Sequence, residues 1–311
     1  MNKNRKAPTG ISGFPVAPFN HQNELDQEAL KKNIEFLLDE GLESIFIACG
    51  SGEFHNLSKK EYETMVEIAV TIVNGQVPVY TGVGGNLSEA LEKAKISEQK
   101  KADGYLILPP YLIEGEQEGL YEYYKTIVRS TDLNAILYQR NNAVLKADTL
   151  EGLLNYEQVV GLKDGHGNME LNIELTQRFG NRLGWINGMP MAEVTMPAYK
   201  PLGFNCYSSA ISNYIPHISR MFFDALQSGD QDTVNMLYED AILPINNIRR
   251  KRKGYAVSLI KAGMEIVGFP VENTVRPPVV PVTSEHYQEL KFVLTKVLDK
   301  YPSKTGIISV K

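Results

Sequence analysis

The chain has 311 residues, 43% of them hydrophobic and 22% charged, with a formal net charge of −5. That is enough apolar material for a full core, and the acidic balance argues against nucleic acid as the main partner. No apolar run of about 18 residues is present, so no membrane span is expected.

The basic start, Met1-Asn2-Lys3-Asn4-Arg5-Lys6, runs into Ala7-Pro8-Thr9-Gly10 and not into an apolar signal core. A strand is expected over 11–16. A helix follows over 25–38, with Leu30, Ile34, Leu37 and Leu38 at helical spacing and Gly41 past its end. The second strand is 44–49. Ser58-Lys59-Lys60-Glu61 is a capping box that opens a helix through residue 73. Strand 77–81 and helix 88–101 come next, then strand 104–108 and helix 116–130, then strand 134–138. Asp148 is expected to cap a short helix ending at 154. Strand 159–163, helix 169–179, strand 183–186, helix 192–199 and strand 204–207 complete the series. Regular alternation with short loops implies a parallel sheet, and eight repeats imply its closure into a (β/α)8 TIM barrel. After Ser212 the pattern turns helical only: 215–227, 232–248, 255–267 and 284–301. The chain therefore divides into a catalytic barrel, 1–212, and a part, 213–311, whose helices complete the barrel and extend it.

Active sites of such barrels lie at the carboxyl ends of the strands. Lys163 closes the apolar run Val159-Val160-Gly161-Leu162. A surface lysine just past a strand is the bland reading. The sharper one is an amine at a low-dielectric barrel mouth, where burial disfavours the ammonium and leaves a nucleophile for a carbonyl carbon. Asp164 points to the other face of the strand and need not pair with it. Tyr138 ends strand five, where a phenol either packs or shuttles protons for a nearby amine. Gly50-Ser51-Gly52-Glu53 after strand two is a tight turn or an anion cradle. It lacks the spacing of a dinucleotide fingerprint, as does Gly82-Val83-Gly84-Gly85-Asn86, which reads as a turn capped by Asn86. Cys49 and Cys206 close apolar runs and read as buried packing residues in a reducing cytoplasm. The histidines, His21, His55, His166, His217 and His286, show no metal-ligand spacing. Arg249-Arg250-Lys251-Arg252-Lys253 reads as a solvated helix face.

The set Gly50-Ser51-Gly52-Glu53, Tyr138 and Gly161-Leu162-Lys163-Asp164 resembles the dihydrodipicolinate synthase/N-acetylneuraminate lyase superfamily. The resemblance runs from Ile11-Ser12-Gly13-Phe14-Pro15-Val16-Ala17-Pro18-Phe19 to Val275-Arg276-Pro277-Pro278. It implies a barrel with a helical C-terminal extension, assembled as a homotetramer (a dimer of dimers) or a dimer. It also implies Lys163 as Schiff-base former, Tyr138 as proton relay, and Gly50 and Ser51, with Gly52, at the carboxylate beside the reacting ketone. Tyr111, in Pro109-Pro110-Tyr111, falls where members reach into a neighbouring subunit's site. The run Tyr138-Gln139-Arg140-Asn141-Asn142-Ala143 departs from the synthases. Together with Ala48-Cys49-Gly50-Ser51-Gly52-Glu53-Phe54, Leu108-Pro109-Pro110-Tyr111-Leu112 and Tyr207-Ser208-Ser209-Ala210, it resembles the branch that converts 5-dehydro-4-deoxyglucarate, a keto-deoxy sugar diacid, to 2,5-dioxopentanoate. That chemistry implies no metal and no organic cofactor. Asn187 and Ser208, at the ends of strands seven and eight, are placed near the leaving hydroxyl, and Arg140 joins the substrate-binding set. An aldolase or a synthase on the same scaffold stays open, as does an inactive keto-acid binder.

Overall fold

Eight parallel strands close on themselves in chain order in this computed structural model, which describes residues 5–303 and 308–310. The first four residues of the basic start lie outside the described residues. The elements are β1 (Gly10–Gly13), α1 (Gln27–Asp39), β2 (Ser44–Ile47), α2 (Lys59–Val73), β3 (Val79–Val83), α3 (Leu87–Gln99) and β4 (Gly104–Ile107). Then come α4 (Gln117–Val128), β5 (Asn134–Gln139), α5 (Ala147–Leu153), β6 (Val159–Asp164), α6 (Met169–Phe179), β7 (Gly184–Asn187), α7 (Ala192–Tyr199) and β8 (Cys206–Ser209). The chain ends in α8 (Pro216–Ser228), α9 (Gln231–Leu237), α10 (Leu243–Arg250), α11 (Tyr255–Ile266) and α12 (Ser284–Lys300). The expected (β/α)8 architecture with added C-terminal helices is thus the observed one, and α8 packs on β1 to complete the ring. Among the described residues no helix is long and apolar enough to cross a membrane.

Local chemistry sets the boundaries. The box at the start of α2 is present, with Ser58 accepting from Glu61 N and the Glu61 carboxylate accepting from Ser58 N. Asn86 caps α3 as expected, accepting from Glu89 N. Asp148 does not cap α5. Lys146 holds the cap position, and Gln117 Oε1 accepts from Lys146 N and the Thr149 hydroxyl. The Asp148 carboxylate instead lies 2.7 Å from Arg178. β1 stops at Gly13 rather than 16, because Pro15 brings no N–H to a ladder, and β3 begins after Pro78 for the same reason.

The single helix expected over 232–248 is α9 and α10 joined by a π-helical turn, Tyr238–Ile242. Pro244 lies inside the expected helix, where its ring would crowd the carbonyl four residues earlier and it has no N–H to offer. A widened turn absorbs the conflict. A second proline, Pro197, sits inside α7 and cannot bond to Glu193 O. The Tyr238 hydroxyl, projected from the π turn, donates to Glu193 O at 3.1 Å and to Val194 O at 3.0 Å. One irregular turn thus satisfies the Glu193 carbonyl that the proline of the other leaves without its helical donor.

Inside the barrel, Phe14, Phe46 and Tyr80 form a stack, with ring centroids 4.6 and 5.0 Å apart. The amino-terminal end of the barrel is closed by residues 5–8. Ala7 lies where Gly161 and Gly184 leave room, and Arg5 donates to Asn134 and to Asp132. The open end is the carboxyl end of the strands.

Tyr238→Phe should therefore lower unfolding stability by about 1 kcal/mol, read by denaturant titration. Unchanged stability would mean that water serves the two carbonyls equally well.

Candidate active site

The pleat of β6 decides which groups meet. Lys163 pairs in register with Tyr138 on β5 and Ile186 on β7, and all three share the barrel's inner face. Asp164, one residue on, faces outward. Its carboxylate accepts from Gln139 Nε2, Asn172 Nδ2, the Tyr199 hydroxyl and the N–H groups of His166 and Gly167. It makes no ion pair with Lys163, as the alternation predicts. These five donors pin the strand end from outside and so fix the lysine inside.

Lys163 is 5% exposed and makes no hydrogen bond or ion pair to a described residue. Its Nζ lies 3.9 Å from the Phe14 ring centroid and 4.8 Å from that of Tyr138. Burial lowers its pKa from 10.5 to about 7, and the positive charge of Arg140 acts in the same direction. Cys49 and Cys206 are free and buried. Burial pushes both thiols up to about 12, so at neutral pH they carry no charge to hold an ammonium. Room for the amine comes from Gly188, where a methyl group would sit 2.6 Å from Lys163 Cγ and Cε.

The Tyr138 hydroxyl donates to Gly188 O at 3.3 Å and accepts from Arg140 Nη1 at 3.1 Å. Burial raises its pKa, with Arg140 opposing, so at neutral pH it is a phenol with a proton to give. Arg140 has no carboxylate partner among the described residues.

A cavity of about 180 Å³ opens over these groups. Gly50, Ser51, Tyr138, Arg140, Lys163 and Ser208 line it together, so six of the residues singled out in the sequence converge. The N–H groups of Gly50 and Ser51 and the Ser51 hydroxyl have no partner among the described residues. Further along the loop, the N–H groups of Glu53 and Phe54 turn back onto Gly50 O and Cys49 O. Unpaired donors at a cavity wall are what a carboxylate needs.

Three expected residues stand elsewhere. Gly52 packs under its loop, where a Cβ would lie 3.2 Å from Ala48 Cα. Asn187 pairs in register with Asp164, not Lys163, and so faces outward. Its amide donates to Thr195 and to Ala192 O, and its oxygen accepts from Met189 N. Tyr111 lies 48% exposed on the loop after β4, beside fully exposed Leu112, and does not reach this chain's own cavity. The cavity also has walls that the sequence did not mark: Phe14 from the β1 segment, Gly188 and Met189 after β7, and Val257 and Ile260 of α11. Among the described residues no cluster of three or more His, Cys, Asp or Glu side chains could hold a metal ion.

The sequence matches the dihydrodipicolinate synthetase family over residues 7–297. It is 67% identical over 308 residues to a Bacillus subtilis (strain 168) protein named probable 5-dehydro-4-deoxyglucarate dehydratase, spanning 99% of this chain and 100% of that one. An Acinetobacter baumannii (strain AB307-0294) protein of the same name is 39% identical, covering 90% of this chain and 93% of its own. Among solved structures, dihydrodipicolinate synthase from Oceanobacillus iheyensis superposes with a TM-score of 0.85 at 28% identity, over 91% of this chain and 94% of that one. The chain belongs to the dihydrodipicolinate synthetase family.

Lys163 binds its proton more weakly in the fold than in an unfolded chain. Between about pH 7 and 10.5 the unfolded chain therefore holds more protons, and stability rises with pH across that window. Lys163→Met removes the burden. The variant should be more stable by about 3–5 kcal/mol at and below pH 7, with the difference closing as pH approaches 10.5. Denaturant melts of both proteins at several pH values check this. A pH-independent difference would contradict the lowered value.

Proposed function

We propose that this protein is a lyase that converts 5-dehydro-4-deoxy-D-glucarate to 2,5-dioxopentanoate, water and carbon dioxide through a Schiff base on Lys163. The observation that carries the reading is a buried amine with no counter-ion beside a protonated phenol, in a cavity that is also lined by Gly50 and Ser51 with their unpaired N–H groups. Its supports are the dehydratase-like loops around that cavity and the names of the relatives.

In this reading Gly50 and Ser51 bind the carboxylate next to the C5 ketone. The neutral amine of Lys163 attacks C5, and Tyr138 gives its proton to the carbinolamine oxygen, which leaves as water. The iminium withdraws electrons and acidifies C4–H. Loss of that proton gives an enamine, which expels the C3 hydroxyl. The conjugated iminium so formed accepts the electron pair released when the C1 carboxylate leaves C2 as carbon dioxide. Protonation and hydrolysis then return the amine and free the aldehyde. One lysine accepts electrons twice, and the atoms of the diacid are all accounted for in the three products. Arg140, a cation without a carboxylate partner, is suited to the far end of a diacid, and Ser208 to the hydroxyl that departs. Tyr111, with exposed Leu112 and Ile113, is assigned to contacts with another copy of the chain in a dimer or tetramer.

Incubation with the keto-deoxy diacid should release one carbon dioxide per dioxopentanoate formed, and borohydride should trap the substrate on Lys163. Pyruvate as product would mean aldol cleavage, and trapping on another lysine would overturn the assignment. Tyr138→Phe should keep the barrel and lower the rate by about 10²–10⁴, the usual range for a positioned acid or base. A change under about threefold would remove the tyrosine from the proton path.

A further inference from the structure

A second buried lysine stands behind the cavity. Lys261 lies in α11, and its side chain and that of Glu53 are both fully buried. Lys261 Nζ donates to Glu53 Oε1 and to Thr274 O, each at 2.6 Å. The other Glu53 oxygen accepts from Arg276 N at 3.0 Å and from Asn56 Nδ2 at 3.4 Å. Both carboxylate oxygens are thus tied. Arg276 in turn donates to Asn56 O and to the Glu61 carboxylate.

The location suggests more than packing. Replacing a buried ion pair with apolar groups is often neutral or stabilising, so packing alone does not call for charge here. Glu53 closes the loop that begins at Ala48, and these two non-glycine residues hold left-handed backbone, with φ of 50° and 52°. Such residues persist only where their surroundings over-determine them. Between them lie Gly50 and Ser51, with their unpaired N–H groups. Ile260, next to Lys261 in sequence, lines the same cavity.

We propose that the Glu53–Lys261 pair is a positioning device for the carboxylate of the bound keto acid. It locks Glu53 in its left-handed turn and so holds the Gly50–Ser51 donors open toward the ligand. The inference rests on reading those donors as the carboxylate cradle.

The test compares pyruvate with acetone, which has the ketone but no carboxylate. Each is trapped on the protein with borohydride over a concentration series and read by intact mass. Variants are Glu53→Gln with Lys261→Met, which leaves no lone buried charge, and Ser51→Ala. The double variant should raise half-saturating pyruvate about tenfold or more, on the scale of a lost charge-assisted hydrogen bond, and leave acetone unchanged. General loosening would shift both probes together and would overturn the proposal. An unchanged pyruvate-to-acetone ratio in the double variant, with a raised one in Ser51→Ala, overturns the positioning role and keeps the cradle. An unchanged ratio in both removes the cradle, and the proposal with it. A double variant that does not fold also overturns it, by assigning the pair to the fold itself.

Discussion

Everything at the mouth of this barrel follows from two adjacent residues that face opposite ways. Lys163 is a buried base without an anion, and Asp164 is a buried acid without a cation. Had the pleat let them meet, the lysine would be held as an ammonium and lost as a nucleophile. Instead five neutral donors take up the carboxylate on the outer face, and aromatic ring faces line the amine's side. The alternation of one strand thus separates a structural anchor from the amine proposed as nucleophile, and the anchor fixes the position of that amine.

Much of this was legible in the sequence because it depends on local periods. Apolar runs of strand length, helical spacing and a capping box identified eight strands and their helices, and Lys163, Tyr138, Gly50, Ser51, Arg140 and Ser208 do share one cavity. Asn187 was misplaced for a reason that the same rule contains. Its register partner is Asp164, so it shares the outward face, whereas Ser208 follows outward Tyr207 and points in. Knowing that a residue ends a strand does not say which face it ends on. Asp148 failed as a cap because Gln117, some thirty residues earlier, already meets the start of that helix. The helix break near Pro244 was readable from the proline alone, since its missing N–H and its ring both oppose a continuous helix.

Contacts between distant segments left weaker traces. α11 walls the cavity, yet no motif announces it. Its composition holds one clue. Ten of its twelve residues are buried, and Lys261 is among them. A helix that is apolar on nearly every side sits in a core, and a charge on such a helix must find a partner there. Glu53, 208 residues away, is that partner. Sequence spacing carries no information about such a pair, although burial chemistry requires that one exist.

The two buried lysines show how environment divides one side-chain type into two roles. Burial lowers the pKa of Lys261 as well, but a carboxylate at 2.6 Å opposes the shift and, with a backbone carbonyl, fixes the geometry of its amine. Lys163 meets ring faces, neutral thiols and a nearby arginine, so its charge is disfavoured and its lone pair is available. An unpaired lysine is a poor choice for stability, and the five hydrogen bonds to Asp164 on the outer face of the same strand end hold it in place, although the buried amide oxygens of Gln139 and Asn172 there have no partner among the described residues. With its pKa lowered to about 7, such an amine loses its proton far more readily near neutral pH than an ordinary lysine does when a ketone arrives. In the proposed reaction the amine becomes an iminium, and the positive charge that the cavity disfavoured on the free lysine then sits on the substrate. There it draws electrons from C4 and then from C2, and that pull drives the proposed loss of water and of carbon dioxide.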